Sequence, residues 1–403
     1  MGIKNINATV KKECPRAFVS IELRSLAGYR IAIDAPLWAY ATIASAMKSM
    51  VRAMKDPLEE IDRGELLQRC LSQALRFHSS LLSHGISPIW LRDGKTPKEK
   101  TATRAKRREV ADKRKDEVEE LRQKLSTEDI FLRQPQDLER LRSLLQNTAV
   151  IHKEEFDVFY SVLEGLGLPL ITCPGESEAY ASTLNRKGLV YGVWTTDTDC
   201  YALGAINMIT GFGDLTDTGH ETVNIVHIPY MLEDLDFTPE QMLDFCVMCG
   251  TDFNDNIPNI GGTRALAHIR NYGSIEQFEA KSKHDCTILN YKKSRRLLTA
   301  PQCELEHDSP ELSHSPENYY SLGRDISLQY GLLSGYAELG QKLDMSLNVK
   351  CYDIESGPLI RRKRRLVLKS KGVPVDSKLS AEKRIHDNEA KITCLADLLL
   401  LIK

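Results

Sequence analysis

The sequence of 403 residues has no run of 18 apolar residues, and its greasiest stretches, such as Leu398 to Ile402, are far too short to cross a bilayer. A membrane-spanning helix is therefore not expected. The opening Met1-Gly2-Ile3-Lys4-Asn5-Ile6-Asn7 has no apolar h-region, so no secretory leader is expected either. Ten cysteines are scattered along the chain, and without a leader they are expected to stay reduced, which excludes a secreted disulfide scaffold. An excess of either charge is also missing: 54 Lys plus Arg face 56 Asp plus Glu, a net charge of −2 that implies no partner taken whole. With 42% hydrophobic and 27% charged residues, the chain has the composition of an ordinary folded protein. Its length suggests two domains, or one with insertions.

What is present is an uneven distribution of charge. Lys95 to Lys115 carries ten Lys/Arg against Glu99, Glu109 and Asp112, and Arg361 to Lys371 carries seven with no acid. Apolar runs over 29–34, 86–91, 168–173 and 188–195 read as short buried strands. Helical stretches follow from Leu37 into the fifties, over Gly64 to His84 and over Glu154 to Leu166. Strands alternating with helices imply an α/β domain with a largely parallel sheet, whose binding residues collect at the carboxyl ends of its strands. Asp34, Asp93, Glu176, Glu178, Asp197 and Asp199 all fall just past a strand, and Asp252 sits in a later Gly/Asp/Asn-rich loop.

A single acid at a strand end is most simply a helix cap or a surface charge. Six in step with the strands are another matter, because carboxylates a few ångströms apart repel strongly unless cations lie between them. Hard divalent ions with oxygen ligands answer that need, and the absence of His and Cys from the set argues against zinc. Two such ions activate water and stabilise the leaving oxygen in phosphodiester hydrolysis.

Four blocks in order resemble the flap endonuclease/XPG-type structure-specific 5′-nucleases. They are Met1-Gly-Ile-Lys4 with Ile31-Ala-Ile-Asp34-Ala and Tyr40, then Asp93-Gly-Lys95 with Ala105-Lys-Arg107. Next come Pro174-Gly-Glu176-Ser-Glu178-Ala with Thr196-Asp197-Thr-Asp199-Cys, and finally Gly250-Thr-Asp252-Phe with Ile257-Pro-Asn-Ile260-Gly-Gly-Thr-Arg264-Ala. The resemblance covers about residues 1 to 275. It implies an α/β, parallel-sheet PIN-like nuclease core, a helical arch, and a helix-two-turn-helix (5′-3′ exonuclease C-terminal) subdomain.

It assigns Asp34, Asp93, Glu176, Glu178, Asp197, Asp199 and Asp252 to two Mg²⁺ ions, with Mn²⁺ as a substitute. Lys100 and Arg107 would contact the scissile phosphate; seven residues apart, they would share one helical face. Tyr40 would stack a base, against the plainer reading that it packs between helices. Gly2 would bring the amino terminus beside the substrate; a Met-Gly start also opens a myristoylation signal, but Ile6 stands where that signal needs Ser or Thr. Ile257, Ile260, Gly261 and Arg264 would grip duplex phosphates through backbone amides, around a K⁺ ion held by the carbonyls of Ile257 and Ile260. The sequence departs from the family pattern at Asn259, where glycine is usual, at Gly262-Thr263, where Pro-Lys is usual, and at Arg92, which replaces an aromatic.

The implied divisions are 1–95 and 151–235 for the nuclease core, 96–150 for the arch, 236–280 for the duplex-binding subdomain and 281–403 for a divergent region with a basic tail. The implied activity is a Mg²⁺-dependent 5′ flap endonuclease of DNA replication or repair, acting as a monomer on branched or flapped DNA. A 5′→3′ exonuclease or Holliday-junction resolvase of the same family is the nearer alternative. A nuclease-fold scaffold binding RNA or protein is the alternative from another class, and its mark would be loss of one or more of these acids. No Phe-Phe occurs in the chain, so the family's sliding-clamp tether is absent, and the whole reads as a divergent eukaryotic or viral member working inside the cell, in the nucleus or at a viral replication site. Cys246-Val-Met-Cys249 is expected to be core. His284/Cys286 with Cys303/His307 make a weak zinc pattern. Lys281 to His314 reads as polar and irregular, and Arg361 to Arg365 reads as an import signal or phosphate-binding tail.

Overall fold

The computed structural model describes residues 2–95, 97–129, 131–299, 301–314, 323–343 and 350. A seven-stranded sheet organises them: β1 (Phe18–Glu22), β2 (Arg30–Asp34), β3 (Ser87–Arg92), β4 (Leu170–Thr172), β5 (Gly192–Trp194), β6 (Asn207–Phe212) and β7 (Thr222–His227). Their order is β1-β7-β6-β5-β2-β3-β4, with β6-β5-β2-β3-β4 parallel and β7 antiparallel to both of its neighbours. β2 is buried at all five positions, as a strand covered on both faces must be. It also lies where the chain order reverses, since β3 continues on one side of it and β5 on the other, and ligands bind α/β sheets at such a point.

Helices cover the sheet. α1 (Ile6–Glu13) precedes it, and α2 (Ala35–Ala53) and α3 (Arg63–Ser83) link β2 to β3. α2 starts where Asp34 accepts a hydrogen bond from Leu37 N, and Asp62 caps α3 in the same way through Gly64 N and Glu65 N. Between α2, α3 and the sheet, Trp38, Phe77, Trp90 and Phe159 meet ring to ring at 5.1–6.3 Å. α4 (Thr101–Thr127) and α5 (Pro135–Gln146) form the charged insertion. Among the residues of α4 whose burial is described, none before Val118 is buried; its last turns pack Val118, Leu121 and Leu125 with Leu141 and Leu145 of α5. Arg142 of α5 donates to the carbonyls of Val51, Met54 and Lys55 at the end of α2, which anchors the hairpin on one side.

α6 (Lys153–Gly165), α7 (Ser177–Arg186), α8 (Asp199–Ala202) and α9 (Ile228–Leu235) complete the layers over the sheet. α10 (Pro239–Cys249), α11 (Gly262–Tyr272) and α12 (Ile275–Lys281) follow, with Cys246 and Cys249 buried as core. The stretch after 281 is more ordered than its polarity suggests. α13 (Tyr291–Leu297) packs on α10, and Leu289, Leu298 and Leu312 are buried. Arg295 causes this: its guanidinium makes a two-point contact with Asp244 of α10 at 2.6 Å each and reaches Glu276 of α12 at 2.5 and 2.8 Å. The weak zinc pattern does not assemble. Cys286 Sγ faces the His284 carbonyl, Cys303 Sγ faces the Tyr180 hydroxyl, and His307 pairs with Asp308. The basic run Arg361 to Arg365 lies outside the described residues.

Asp244 is almost wholly buried, so removing its partner leaves an uncompensated interior charge. Arg295→Ala is expected to lower unfolding free energy in urea by about 3 kcal/mol, with Asp244→Asn in the same background recovering part of the loss. A single-variant change within 0.5 kcal/mol would show that α13 is not held this way.

Candidate active site

Each acidic side chain reaches the carboxyl edge of the sheet by its own local route. Asp34 ends β2 and Asp93 follows β3 directly. Glu176 and Glu178 flank the first residue of α7 after β4, while Asp197 follows β5 and Asp199 opens α8. Asp252 comes from the turn after α10, beside the short bridge between Thr251 and Asn254. Glu178, Asp197 and Asp199 each offer a carboxylate oxygen within 4.8 Å of the others, the one such group of possible metal ligands among the described residues.

Two hydroxyl residues that the sequence reading passed over hold these acids in place. Ser177 donates through Oγ to Asp34 Oδ1 at 3.1 Å and through its backbone N–H to Asp93 Oδ1 at 2.9 Å. Thr195 donates to Asp34 Oδ2 at 3.0 Å and accepts from Asp197 N. Their only signal in the sequence was position, between Glu176 and Glu178 and two residues before Asp197. Gly94 permits the assembly: a Cβ there would stand 1.9 Å from the Cys173 carbonyl, where the loops after β3 and β4 touch.

Gly2 also packs against the acids. At φ +88°, it places its α-carbon so close to Asp197 that a Cβ would lie 2.1 Å from Oδ1, and Ile3 N donates to Thr198 Oγ1 at 2.7 Å. Lys4 N donates to the Gly250 carbonyl, which ties the amino-terminal segment between the two halves of the site.

Lys100 and Arg107 meet the acids from the opposite direction. Lys100 lies in a 3₁₀ turn just before α4, so the pair does not sit on one continuous helical face; the turn swings the lysine inward. Its Nζ is 2.7 Å from Glu176, 3.4 Å from Glu178 and 3.8 Å from Asp252. Arg107 reaches Asp252 at 2.6 Å, and Thr103 Oγ1 donates to the Asp252 carbonyl. Tyr40, on α2, leaves 40% of its surface exposed and sets its ring against Phe156 at 5.6 Å. One edge of the ring therefore packs against α6, and the rest of it is exposed. Arg92, which stands where the family pattern has an aromatic, lies over the ring of Tyr160 on α6 at 4.6 Å.

Burial and mutual repulsion raise the pKa values of Asp34, Glu176, Glu178 and Asp199. Asp34 is pushed up to about 7, first by burial and then by Asp93 and Asp197, against the hydrogen bonds from Leu37 and Thr195. Asp199 is pushed up to about 8 by burial and by Asp197, with Lys100 opposing. Glu178 rises well above the ordinary carboxylate range and Glu176 rises too, both chiefly through burial. Burial also works against the charge on Lys100, but Glu178, Glu176 and Asp199 outweigh it and raise its pKa. The donor set fits hard divalent cations. It is all oxygen, and Asp199 Oδ1 is buried with no hydrogen-bond partner, a cost that a cation at that atom would remove.

Residues 1–114 match the XPG N-terminal domain family and residues 167–252 the XPG I-region family. Flap endonuclease 1 of Glycine max is 30% identical over 307 residues, spanning 75% of each chain. The chain belongs to the flap endonuclease/XPG family. Flap endonuclease 1-A of Sorghum bicolor is 29% identical over 322 residues, covering 78% of this chain and 79% of its own. Flap endonuclease 1 of Cryptosporidium muris is 30% identical over 312 residues, of which this chain spans 63% of the length. Among solved structures, flap endonuclease-1 from Methanococcus jannaschii superposes with a TM-score of 0.54 at 21% identity, over 81% of this chain and 96% of that one. The catalytic core of Rad2 in complex with DNA gives 0.54 at 17% identity, over 85% and 99%. The shared fold of this family is thus the one described above.

The four residues expected to grip duplex, Ile257, Ile260, Gly261 and Arg264, follow Asp252 in the turn leading to α11 and at its start. Ile257 and Ile260 bury their side chains, and the turn between them closes with Ile260 N donating to the Ile257 carbonyl at 2.9 Å. Asn259 takes φ +63°, a left-handed conformation that asparagine tolerates better than most residues, so the turn keeps its path without glycine. Gly261 caps α11 and Arg264 donates to the Asn259 carbonyl. The carbonyls of Ile257 and Ile260 already accept from Asn256 Nδ2, at 3.2 and 3.0 Å, which does not fit a K⁺ ion between them.

Raised carboxylate pKa values mean that the metal-free native state holds protons that the unfolded chain has released. Their contribution to stability is therefore negative above the unfolded values and deepens as pH rises towards 7–8. In EDTA, Tm is expected to fall between pH 5 and pH 8, with Asp199→Asn flattening the fall and Mg²⁺ reversing it. A metal-free Tm that rises over that interval would contradict the burial described.

Proposed function

We propose that the seven carboxylates hold two Mg²⁺ ions, replaceable by Mn²⁺, and that the chain is a structure-specific 5′ flap endonuclease that hydrolyses DNA phosphodiesters where single strand meets duplex. The single observation that carries this is the convergence of seven acids from five loops with Lys100 and Arg107 against them. Divalent ions bound there would supply water activation and neutralise charge on the phosphodiester.

The chain's own residues do the rest. Ser177 and Thr195 fix the oxygens of Asp34, and Ser177 N fixes Asp93, so the acids need not reorganise when substrate arrives. Lys100 and Arg107 stand where a phosphate oxygen at the sheet edge would compete for them, and their charge would stabilise it. Tyr40 stacks the neighbouring base on its open face. The exposed first half of α4 carries Arg104, Lys106, Arg108, Lys113 and Arg114, whose charges would attract the single strand passing under residues 96–150. Duplex docks on residues 236–280. The substrate is branched or flapped DNA, met by a monomer in the nucleus during replication or repair.

Cleavage of a 5′-labelled double-flap DNA in Mg²⁺ tests the assignment. Release of a flap-length fragment is expected, abolished by Asp199→Ala and slowed about 10²–10³-fold by Lys100→Ala with substrate binding kept within a few-fold. Mononucleotide release would move the assignment to a 5′→3′ exonuclease, and symmetric nicking of a four-way junction would move it to a resolvase. Binding without cleavage of any branched substrate would leave only a scaffold.

A further inference from the structure

The turn from Thr251 to Gly261 supplies side-chain donors to its own backbone carbonyls. Asn254 Nδ2 donates to the carbonyls of Val247, at 2.8 Å, and Asp255, at 3.1 Å, and its Oδ1 accepts from Thr251 Oγ1. Asn256 Nδ2 donates to the carbonyls of Ile257 and Ile260 at once. Arg264 Nη1 donates to the Asn259 carbonyl at 2.7 Å. Carbonyls that converge on one point need a positive centre there, because their dipoles repel otherwise. A monovalent cation is one answer and an amide NH₂ is another, since it carries two N–H groups on one nitrogen. The orientation of the amide follows from the partners: turned over, Asn256 would aim its own oxygen at two carbonyl oxygens with no hydrogen between them.

Burial of Ile257 and Ile260 fixes the directions of the peptide groups around them, so the arrangement does not depend on a flexible tip. Asn256 is itself held in sequence between Asp255, which pairs with Lys4 at 2.6 Å, and the buried Ile257.

We propose that Asn256 fills in this turn the role that a bound monovalent cation would otherwise fill, so that the turn is formed, and docks duplex DNA, without K⁺. The docking clause rests on the duplex-binding role given to residues 236–280 above; the cation clause does not. The loop thereby becomes a fixed, cation-independent surface, and the salt dependence of duplex binding comes from phosphate contacts alone.

Two readouts separate the clauses. Crystals of the full chain soaked in Tl⁺, which occupies K⁺ sites and scatters anomalously, are expected to show no anomalous peak near Asn256, and Tm in KCl is expected to equal that in tetramethylammonium chloride. Asn256→Asp, which replaces the NH₂ donor with a carboxylate, is expected to gain both a Tl⁺ peak and a higher Tm in KCl. A Tl⁺ peak on the wild-type carbonyls overturns the proposal. In EDTA, affinity for a blunt duplex is expected to agree within about twofold between KCl and tetramethylammonium chloride at equal ionic strength. A fivefold or greater preference for KCl overturns the docking clause. Absence of duplex binding in either salt overturns the duplex-binding role of this region and leaves the Tl⁺ result to decide the cation clause.

Discussion

Repulsion among carboxylates at one edge of the sheet is the constraint around which the molecule is built. Asp34 and Asp199 are nearly inaccessible and Glu178 and Asp197 little less so, which is the costliest place for negative charge. Nothing about the acids themselves brings them together. Parallel strands do, because each sends its chain out at the same edge, and the buried layer of Ile31, Ile33, Trp90 and Leu91 behind that edge provides the hydrophobic stabilisation that offsets the cost. The site is therefore a region of stored electrostatic strain held by an apolar core, and Lys100 is the chain's own partial relief of it.

That arrangement also explains the two halves of α4. The half nearest the acids is rich in cationic groups, and Thr103 to Asp116 are exposed or half-exposed. A helix that buries nothing gains little from packing, and isolated helices are marginal in water. Its second half makes up the deficit through Leu121 and Leu125 against α5, with Arg142 tying α5 to the end of α2. The hairpin is fixed at its distal half, and near the acids it is held by contacts of Lys100, Thr103 and Arg107 with Glu176, Glu178 and Asp252, beside an ion pair of Glu99 with Lys293. Those are the contacts a phosphate backbone would compete for, so substrate entry and rearrangement at the base of the hairpin involve the same residues.

Much of this was legible in the sequence for one reason: a buried parallel strand reads as a short apolar run, and an acid just past it marks the edge. All seven acids and both cations were located that way or by the family pattern. β1, β6 and β7 were not read, because polar residues such as Ser20, Asn207 and Asn224 interrupt their apolar pattern, and β1 finds its partner β7 only far along the chain, as the Ser20–Thr222 bond with its separation of 202 residues shows. Ser177 and Thr195 were passed over because a hydroxyl between acids says nothing until the carboxylate that it holds is placed beside it. The polar stretch after 281 was misjudged because its order depends on Arg295 finding Asp244, 51 residues away. Lys100 was expected on a helical face, and only the 3₁₀ turn before α4 shows why it points inward instead.

The departures from the family pattern are local exchanges whose partners lie in the same structure. Arg92 gives up an aromatic side chain and stacks on Tyr160. Asn259 gives up glycine and keeps the left-handed turn. Gly262 gives up proline at the start of α11, where a Cβ would stand 2.4 Å from Thr9 Oγ1, so the exchange lets α1 and α11 approach closely. Asn256 adds a side-chain support to the same turn, since its amide donates to the carbonyls of both Ile257 and Ile260. Each exchange has a local consequence that this structure shows: a ring under Arg92, a left-handed residue at 259, and a close approach at Gly262. Under the proposal that residues 236–280 grip duplex phosphates through backbone amides, the side chains that hold those peptide groups, Asn256 and Arg264 among them, set the geometry of the grip.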